Sequence, residues 1–281
     1  MKDMLLTYNE YNTTLGYVQG MSDLLAPIYA VMQDDAAAFW AFVGFMNRTE
    51  RNFLRDQSGM RAQLVALDHL VQLMDPRLYL HLQSADSTNF FFFFRMLLVW
   101  FKREFKWEDV LRLWEVLWTN YYSSQYHLFI ALAILEKHRV IIIDRELSIS
   151  LPSSDTRLTG YVCFIDLKQF DEVLKYINEL SQTIDLSSTR IRAEALFKRF
   201  QRTLETSDKK RTAPSGLGRP GELTNRRRSS RGGGSQVDGE ASTTGAESGV
   251  NRKGKGVDLP EAAEISEDLR MLLKRDVIRP T

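Results

Sequence analysis

One amide side chain, Gln19, lies between two glycines just ahead of a run of apolar residues, where residues 15–21 read LGYVQGM. Gly16 and Gly20 allow the backbone to turn tightly and to approach a partner closely. Gln19 offers two N–H donors and one carbonyl acceptor from a fixed position. Those groups can hold a water molecule in line with a phosphate. From local chemistry alone, an ordinary polar residue of a loop is the commoner situation, so the interpretation depends on the rest of the chain.

The histidine and cysteine residues do not form a metal-binding pattern. Four histidines are scattered without the paired spacing of metal ligands, and we predict them to be surface or hydrogen-bonded packing residues. They are His69, His81, His127 and His138. Cys163 is the single cysteine, so neither an intrachain disulfide nor a cysteine zinc cluster can form. We therefore expect no metal site.

Charge and hydropathy limit the class of partner. The 281 residues contain 37 Lys and Arg against 36 Asp and Glu, so the basic excess that favours nucleic-acid binding is missing. The residues after Met1 lack the apolar core of a signal peptide. The longest apolar stretch, Ala36 to Met46, is too short to span a bilayer. We expect a soluble cytoplasmic protein that has no transmembrane segment and does not bind nucleic acid.

Residues 1–200 have the apolar spacing of helices almost throughout, and no convincing alternating strand pattern occurs. One apolar stripe runs from Met60 to Met74, where Asp75-Pro76 ends the helical pattern. A second covers Asp109 to Trp118, and residues 125–138 are apolar on most faces and should be buried. The predicted fold class is all-α.

Three further features of the helical part lead to predictions. Pro27 interrupts an apolar helical pattern, which predicts a kink or a break. Asp34 and Asp35 suit the positive end of a helix dipole at a helix start. Lys102 and Arg103, together with Lys106, are predicted to form a solvated face.

Five consecutive phenylalanines, Phe90 to Phe94, would cover every face of a helix. We predict one helix over Phe90 to Phe101, with Asn89 as its N-cap. Burial on nearly all sides follows. We interpret this run and the nearby tryptophans as core packing rather than as a ligand-binding box.

Composition divides the chain into a helical part and a tail. Residues 1–205 form the predicted helical domain, and residues 206–258 are rich in Gly, Ser, Thr, Arg and Glu, with almost no large apolar side chains. Such a segment is predicted to be a disordered linker because it buries too little surface to offset its ordering entropy. Residues 259–281 regain a helical pattern and form either a docking helix or a marginal helix on a tail.

Several separated segments, in order, resemble one family, the TBC domains that activate GTP hydrolysis by Rab GTPases. They are LGYVQGM at 15–21, NFFFFFRMLLVWFKREF at 89–105, DVLRLWEVLWT at 109–119 and LKQFDEVLKYINEL at 167–180. The likeness covers roughly residues 3–200 and is strongest to fungal Gyp-type members and animal members linked to vacuolar and late endosomal Rabs. It implies a TBC-type multi-helix domain, of which residues 1–205 are about the C-terminal two-thirds.

The resemblance implies roles for the glycine-rich loop. Gln19 takes the place of the family's glutamine finger, which aligns the attacking water, and Tyr17 is the aromatic that supports the loop. Gly16 and Gly20 flank them. The implied partner is a Rab-family GTPase in its GTP form, which carries the GTP and Mg²⁺, so the chain needs no cofactor. The implied role is vesicle or vacuolar trafficking, with peripheral recruitment to endosomal or vacuolar membranes left open.

The chain departs from the family pattern in two places. The family's arginine finger lies in an Ile-x-x-Asp-x-x-Arg motif upstream of the glutamine, and no such motif occurs here; the nearest approach, residues 141–147, ends in Leu147 instead of arginine. We interpret the chain as an N-terminally truncated TBC domain with crippled activity. Residues 145–165 form an atypical insertion, either a true loop or translated non-coding sequence. A catalytically inactive Rab-binding scaffold and a helical module unrelated to Rabs remain as alternatives.

Overall fold

The computed structural model describes residues 1–143, 169–212 and 266–275, and every regular element in these ranges is helical. The all-α prediction is confirmed there. The α-helices are α1 (Lys2–Tyr11), α2 (Met21–Met32), α3 (Asp35–Thr49), α4 (Ser58–Met74), α5 (Pro76–Ser84), α6 (Phe94–Leu98), α7 (Trp107–Trp118), α8 (Tyr126–Lys137), α9 (Arg139–Ile143), α10 (Phe170–Glu179), α11 (Leu186–Thr212) and α12 (Glu267–Met271). None of these helices is long and apolar enough to cross a membrane.

Helix α8 is the centre of the domain. Each of its residues from Tyr126 to Leu135 is buried, as expected for a helix that is apolar on every face. Helices α4 and α11 pack against it, and Phe129 of α8 contacts the rings of Phe197 and Phe200 on α11. The predicted burial of residues 125–138 is therefore confirmed for Tyr126 to Leu135, whereas Lys137 at the end of α8 is exposed.

Several helix boundaries follow from local chemistry. Helix α4 ends at Met74, and the carboxylate of Asp75 accepts a hydrogen bond from the Leu78 N–H to cap α5, which begins at Pro76. Asp34 caps α3 in the same way by accepting from the Ala37 N–H at 2.8 Å. Helix α2 runs through Pro27 without a break.

The phenylalanine run differs from its prediction. A short 3-10 helix at Phe91–Phe93 precedes α6, which ends at Leu98, so no single helix covers 90–101. The backbone is left-handed at Phe90, Trp100 and Phe101, with φ between 48° and 59°. The N-cap residue of this 3-10 helix is Phe90 and not the predicted Asn89, although the Asn89 side-chain oxygen accepts from the Phe91 N–H at 2.9 Å. The irregular backbone buries Phe90, Phe92 and Phe93 but leaves Phe91 53% exposed.

Trp100 and Trp114 lie in the core, as predicted for the tryptophans near the phenylalanine run. The Phe45 ring contacts Trp100, Trp114 and Trp118, at centroid distances of 4.9, 5.3 and 5.7 Å. The Trp114 indole N–H donates to the carbonyl oxygen of Trp100 at 2.9 Å. Trp107 and Trp118 lie nearer the surface and are partly exposed.

The C-terminal part of the chain departs from its predicted boundary. Helix α11 continues to Thr212, so residues 206–212 belong to a helix and not to the predicted disordered linker. Within the predicted tail, α12 begins at Glu267 and packs against α4. The predicted insertion at 145–165, the rest of the predicted linker and Cys163 lie outside the described residues.

The phenylalanine run allows a matched test of the fold. Phe93→Ala should lower the free energy of unfolding by about 3–5 kcal/mol, because it empties a fully buried site. Phe91→Ala makes the same chemical change two residues away on a half-exposed ring and should cost less than about 1 kcal/mol. Urea unfolding of both variants measures the difference. Equal losses would contradict the observed break in the helix.

Candidate functional site

The loop that carries Gln19 joins α1 to α2 and begins with a turn held by Asn12. The Asn12 side-chain oxygen accepts from the Leu15 N–H at 3.1 Å, and its backbone carbonyl accepts from the Gly16 N–H at 2.9 Å. Gly16 is left-handed, with φ of 68°, a conformation that glycine adopts without a steric cost. The turn directs the next residues back across α1.

Asn9 of α1 fixes the middle of this loop. Its side-chain oxygen accepts a hydrogen bond from the Tyr17 N–H at 3.2 Å. A Cβ atom on Gly16 would lie 3.2 Å from the same oxygen, so glycine is needed for both its torsion angle and its small size. The Tyr17 ring is 52% exposed. The role expected for that ring in supporting the loop stays a prediction, because the observed hydrogen bond is made by the Tyr17 backbone N–H and not by the ring.

At Gly20, the end of the loop packs against the core. It is buried, has φ of 104° and is the N-cap residue of α2. A Cβ atom there would lie 3.5 Å from side-chain atoms of Phe53, Leu98 and Val99. The neighbouring Gln19 side chain is exposed. Gln19 is therefore presented to solvent from a base that lies against a packed apolar surface.

One turn into α2, the carboxylate of Asp23 is buried and held by two cations. Arg103 forms a two-pronged contact with it, from Nε to Oδ1 at 3.1 Å and from Nη2 to Oδ2 at 2.8 Å. Lys102 Nζ lies 3.5 Å from Oδ1. The predicted solvated face is confirmed for Arg103 and Lys106, which are exposed, but Lys102 is half-buried. The pairing of Lys102 and Arg103 with this carboxylate was not predicted.

The electrostatics of Asp23 follow from these contacts. Burial by itself raises the pKa of the carboxyl, but the hydrogen bonds and positive charges of Arg103 and Lys102 outweigh burial and hold the pKa below its usual value. The hydrogen bonds and charge of Asp23 raise the pKa of Arg103 in turn. Asp23 is therefore ionised at neutral pH and ties the start of α2 to the turn at residues 101–105.

That turn is itself fixed from its other side. The carbonyl oxygen of Arg103 accepts from Ser181 Oγ at 2.8 Å and from Gln182 Nε2 at 2.7 Å. The Gln182 backbone N–H donates to the carbonyl oxygen of Glu104 at 2.8 Å. The segment between α10 and α11 thus fixes the backbone of the two cations that pair with Asp23. Asp23 itself lies four residues after Gln19 in the sequence.

Glu104 adds a buried charge to the same turn. Its Oε1 accepts from Arg95 Nε at 3.2 Å and from Nη2 at 3.0 Å, and its side chain is fully buried. Burial raises the pKa of Glu104, and the charge and hydrogen bonds of Arg95 offset only part of that effect. Its contacts give Glu104 a structural role at the base of the turn.

His127 and His138 are hydrogen-bonded packing residues, as predicted, and His69 and His81 are half-buried. His127 is buried, stacks on Trp100 at 5.9 Å and hydrogen-bonds through Nε2 to Gln63 at 2.8 Å. Burial, with the charge of Arg48, lowers the pKa of His127 to about 3, so the ring is neutral. His138 Nδ1 bonds to the hydroxyl of Tyr176 at 2.8 Å. Within residues 1–143, 169–212 and 266–275, no group of His, Cys, Asp and Glu could hold a metal ion.

The structure brings together Gly16, Tyr17, Gln19 and Gly20 as the sequence suggests, and it adds Asn9, Asp23 and Arg103 as their supports. The sequence contained a signal for Asp23, because an acid followed by Leu24 and Leu25 on an apolar helix must be paired when buried. The sequence did not identify its partner. An amide does not titrate, so the chemistry available at Gln19 is orientation of a bound water or phosphate oxygen.

Comparison with known proteins bears on this site. The sequence model of the Rab-GTPase-TBC domain matches residues 1–143. A GTPase-activating protein GYP7 from Yarrowia lipolytica is 60% identical over 210 residues, which are 75% of this chain and 26% of that protein. TBC1 domain family member 17 from human is 43% identical over 71% of this chain and 28% of that protein. The chain spans about a quarter of the length of these relatives.

One solved structure has a similar fold. The crystal structure of the Ypt/Rab-GAP domain of Gyp1p superimposes with a TM-score of 0.54, covering 69% of this chain and 62% of that one. Sequence identity over the match is 19%, so the likeness concerns the arrangement of helices.

The Asp23 ion pair predicts a pH dependence of stability. The folded-state pKa is lowered, so the stabilisation is fully present above the unfolded pKa of about 3.9 and is lost as pH falls through the folded value. Asp23→Asn should lower the free energy of unfolding by about 1 kcal/mol at pH 7, a value reduced by solvent screening because Arg103 is half exposed. Chemical denaturation from pH 3 to pH 7 should show this difference shrinking below about pH 4.

A surface ion pair serves as the control for that measurement. Asp109 lies 3.6 Å from Arg112, whose side chain is 64% exposed, so Asp109→Asn should change the free energy of unfolding by less than about 0.5 kcal/mol. If Asp23→Asn were no more costly than Asp109→Asn at pH 7, Asp23 would not hold the start of α2.

Two glycines should respond oppositely to the same substitution. Gly20→Ala should destabilise the protein by about 1–2 kcal/mol, because alanine must adopt a left-handed conformation. Gly44→Ala should stabilise it by about 0.5–1 kcal/mol, since Gly44 lies within α3 with nothing within 4 Å of an added Cβ. Thermal unfolding of both variants measures the effects. A neutral Gly20→Ala would mean that the loop does not require the observed backbone.

Proposed function

The chain belongs to the Rab-GTPase-TBC domain family, and from that premise we propose that it binds a Rab-family GTPase in its GTP form and promotes hydrolysis of the bound GTP. The observation that carries the proposal is the exposed amide of Gln19 on a loop tied down at Asn9, Gly20 and Asp23. The similarity to fungal proteins named GTPase-activating protein GYP7 supports it.

In the proposed reaction, the GTPase supplies the nucleotide and Mg²⁺, and the chain needs no cofactor of its own. Water must attack the γ-phosphorus in line with the leaving oxygen. The Gln19 carbonyl accepts a hydrogen bond from that water, and its N–H donates to a γ-phosphate oxygen or to the backbone of the GTPase. Little protein chemistry is needed beyond this, because phosphoryl transfer depends on positioning and electrostatic stabilisation.

The ties around the loop explain how a flexible side chain could position a water. Gly20 is buried beside the side chains of Phe53 and Val99, so it cannot move outward without exposing this apolar surface. The first turn of α2 cannot rotate without separating Asp23 from Arg103. The backbone share of the entropy of placing the amide is therefore lost on folding, and the Gln19 side chain is ordered when it meets the GTPase. Asn9, Asp23 and Arg103 act in the proposal as positioning residues.

The second requirement of the reaction is positive charge on the transferred phosphoryl group. The Ile-x-x-Asp-x-x-Arg pattern does not occur in the 281 residues. We therefore assign only the water-aligning half of the chemistry to this chain. An arginine finger contributes about 10³–10⁵ in rate, which corresponds to about 4–7 kcal/mol.

The cellular setting is part of the same proposal. A Rab partner places the activity in vesicle or vacuolar trafficking, and it implies peripheral recruitment of the chain to endosomal or vacuolar membranes through the GTPase. This assignment is supported by the resemblance to the Gyp-type family members and names no single Rab.

Single-turnover GTP hydrolysis on a panel of GTP-loaded Rabs tests the function. The 281-residue chain alone should stimulate less than about 100-fold. In a protein extended upstream to include the arginine motif of its relatives, Gln19→Ala should lower the rate at least about tenfold, or 1.4 kcal/mol. The dissociation constant for the Rab should stay within about twofold, because the lost interaction belongs to the transition state.

Gln83→Ala is the matched control, since Gln83 is also an exposed glutamine but lies on α5. It should leave both the rate and the binding unchanged. If Gln19→Ala kept the rate within about twofold, a change of about 0.4 kcal/mol, the water-aligning role would pass to another residue. Rab binding without stimulation by the extended protein would favour an inactive scaffold.

A further inference from the structure

Residues 266–275, here called the C-terminal segment, lie against the helical domain. The Ser266 hydroxyl accepts from the Leu269 N–H at 3.4 Å and caps α12. Leu269 and Leu272 are buried, and Leu273 packs against the core from the same side. The segment therefore presents three leucines in a Leu-x-x-Leu-Leu arrangement to the domain.

Charged groups fix the direction of the segment. The guanidinium of Arg270 contacts both carboxylate oxygens of Asp208 on α11, with Nη1 to Oδ2 at 2.8 Å. At the other end, Arg275 Nε donates to the carbonyl oxygen of Tyr122 at 3.2 Å, and its guanidinium lies 5.5 Å from the ring centroid of Tyr121. A reversed helix would separate both cations from these partners.

Backbone contacts complete the docking. The Ser124 N–H and hydroxyl both donate to the carbonyl oxygen of Lys274, at 3.1 and 3.2 Å. The domain side of the contact is thus a surface bounded by α4, the residues 121–124 that precede α8, and the end of α11. We call this surface the α4/α11 groove.

The C-terminal segment is a short element that contacts parts of the domain far away from it in sequence. Helix α12 has five residues, and a helix of that length is not stable in isolation. In sequence, residues 213–265 separate it from α11, and it lies far beyond residues 1–143, to which the family's sequence model matches. Its docking therefore depends on the tether to the domain as much as on its own contacts.

We propose that the α4/α11 groove is a docking site for short amphipathic helices with a Leu-x-x-Leu-Leu pattern and an arginine directly after the first leucine. The C-terminal segment of this chain is the occupant, and its docking is reversible, so that a free peptide of the same sequence competes for the groove. The leucines provide the affinity, and Asp208 selects an arginine at the second position of the motif.

The covalent connection of the C-terminal segment to the domain determines how strongly it competes with a free peptide for the groove. A covalent tether between a segment and its binding site makes docking intramolecular, with an effective concentration that can reach about 1 mM. We take a dissociation constant of about 100 µM for the free segment. The apparent affinity of a competing peptide is then about tenfold lower for the intact chain than for a chain whose groove is empty. A substitution that releases the chain's own segment should remove that penalty.

The experiment uses the full chain and a fluorescent peptide with the sequence of residues 264–275. Leu272→Asp opens the groove by placing a charge on a buried face of the segment. The peptide should bind the Leu272→Asp chain about tenfold more tightly than the unchanged chain in fluorescence anisotropy. Met271→Asp is the matched control, because Met271 is 48% exposed and its substitution should leave peptide binding as weak as in the unchanged chain.

A charge exchange tests the selectivity. A peptide that carries Arg270→Glu should fail to bind the Leu272→Asp chain. Adding Asp208→Arg to that chain should restore binding of the altered peptide and abolish binding of the original one. Hydrogen exchange at the Ser124 amide should quicken in the Leu272→Asp chain and slow again when the original peptide saturates it.

Equal binding of the original peptide to the Leu272→Asp and Met271→Asp chains would overturn the proposal, and so would a lack of binding to either. Should Leu272→Asp unfold the domain, as judged by circular dichroism, a full chain carrying Arg270→Glu takes its place with the same expected results. No GTPase takes part in these measurements, so their outcome is independent of the proposed function.

Discussion

Helix α8 is apolar on every side, and the surrounding helices are arranged so that its residues from Tyr126 to Leu135 are shielded from water. Burial of such a helix is the largest favourable term available to this sequence. It requires partners on all faces, which α4 and α11 supply in part. Because α4 and α11 are far apart in sequence, their shared contact with α8 brings distant parts of the chain into one core. The α4/α11 groove arises at the edge of this arrangement.

Around that core, the backbone is strained at positions where the strain allows aromatic side chains to be buried. Phe90, Trp100 and Phe101 adopt left-handed backbone conformations, each of which costs about 1–2 kcal/mol for a residue with a side chain. All three aromatic side chains are buried, and burying a phenylalanine returns about 1.5–3 kcal/mol. The irregular segment at 90–105 thereby forms the apolar surface against which Gly20 packs, and it carries Arg103 to Asp23.

The loop around Gln19 shows how a helical scaffold can fix the backbone beneath an exposed polar side chain. Its glycines supply the turns, but glycine alone would leave the loop mobile. The fixed points are a hydrogen bond from the Tyr17 N–H to Asn9, the contact of Gly20 with the core, and the buried charge of Asp23. A buried carboxylate is costly unless it is paired, so the requirement to neutralise Asp23 also specifies how α2 meets the turn at 101–105.

By itself, the sequence determined the features that depend on neighbouring residues. Its apolar period gave the helical class and the burial of α8, Asp75-Pro76 gave the boundary between α4 and α5, and the glycines placed Gln19 on a loop before α2. These signals are local, because helix periodicity, caps and turns involve residues a few positions apart. The family resemblance suggested a role for the loop in GTP hydrolysis, which helix periodicity cannot indicate.

Only the tertiary structure decided which distant groups meet. The sequence offered 37 basic residues as partners for Asp23, and the choice of Arg103 depends on the left-handed turns at Trp100 and Phe101, which local preferences oppose. The break in the phenylalanine run and the docking of Leu272 against the domain have the same origin. In each case, the free energy of long-range burial exceeds the local preference of the backbone, and a pattern read along the chain contains no measure of that burial.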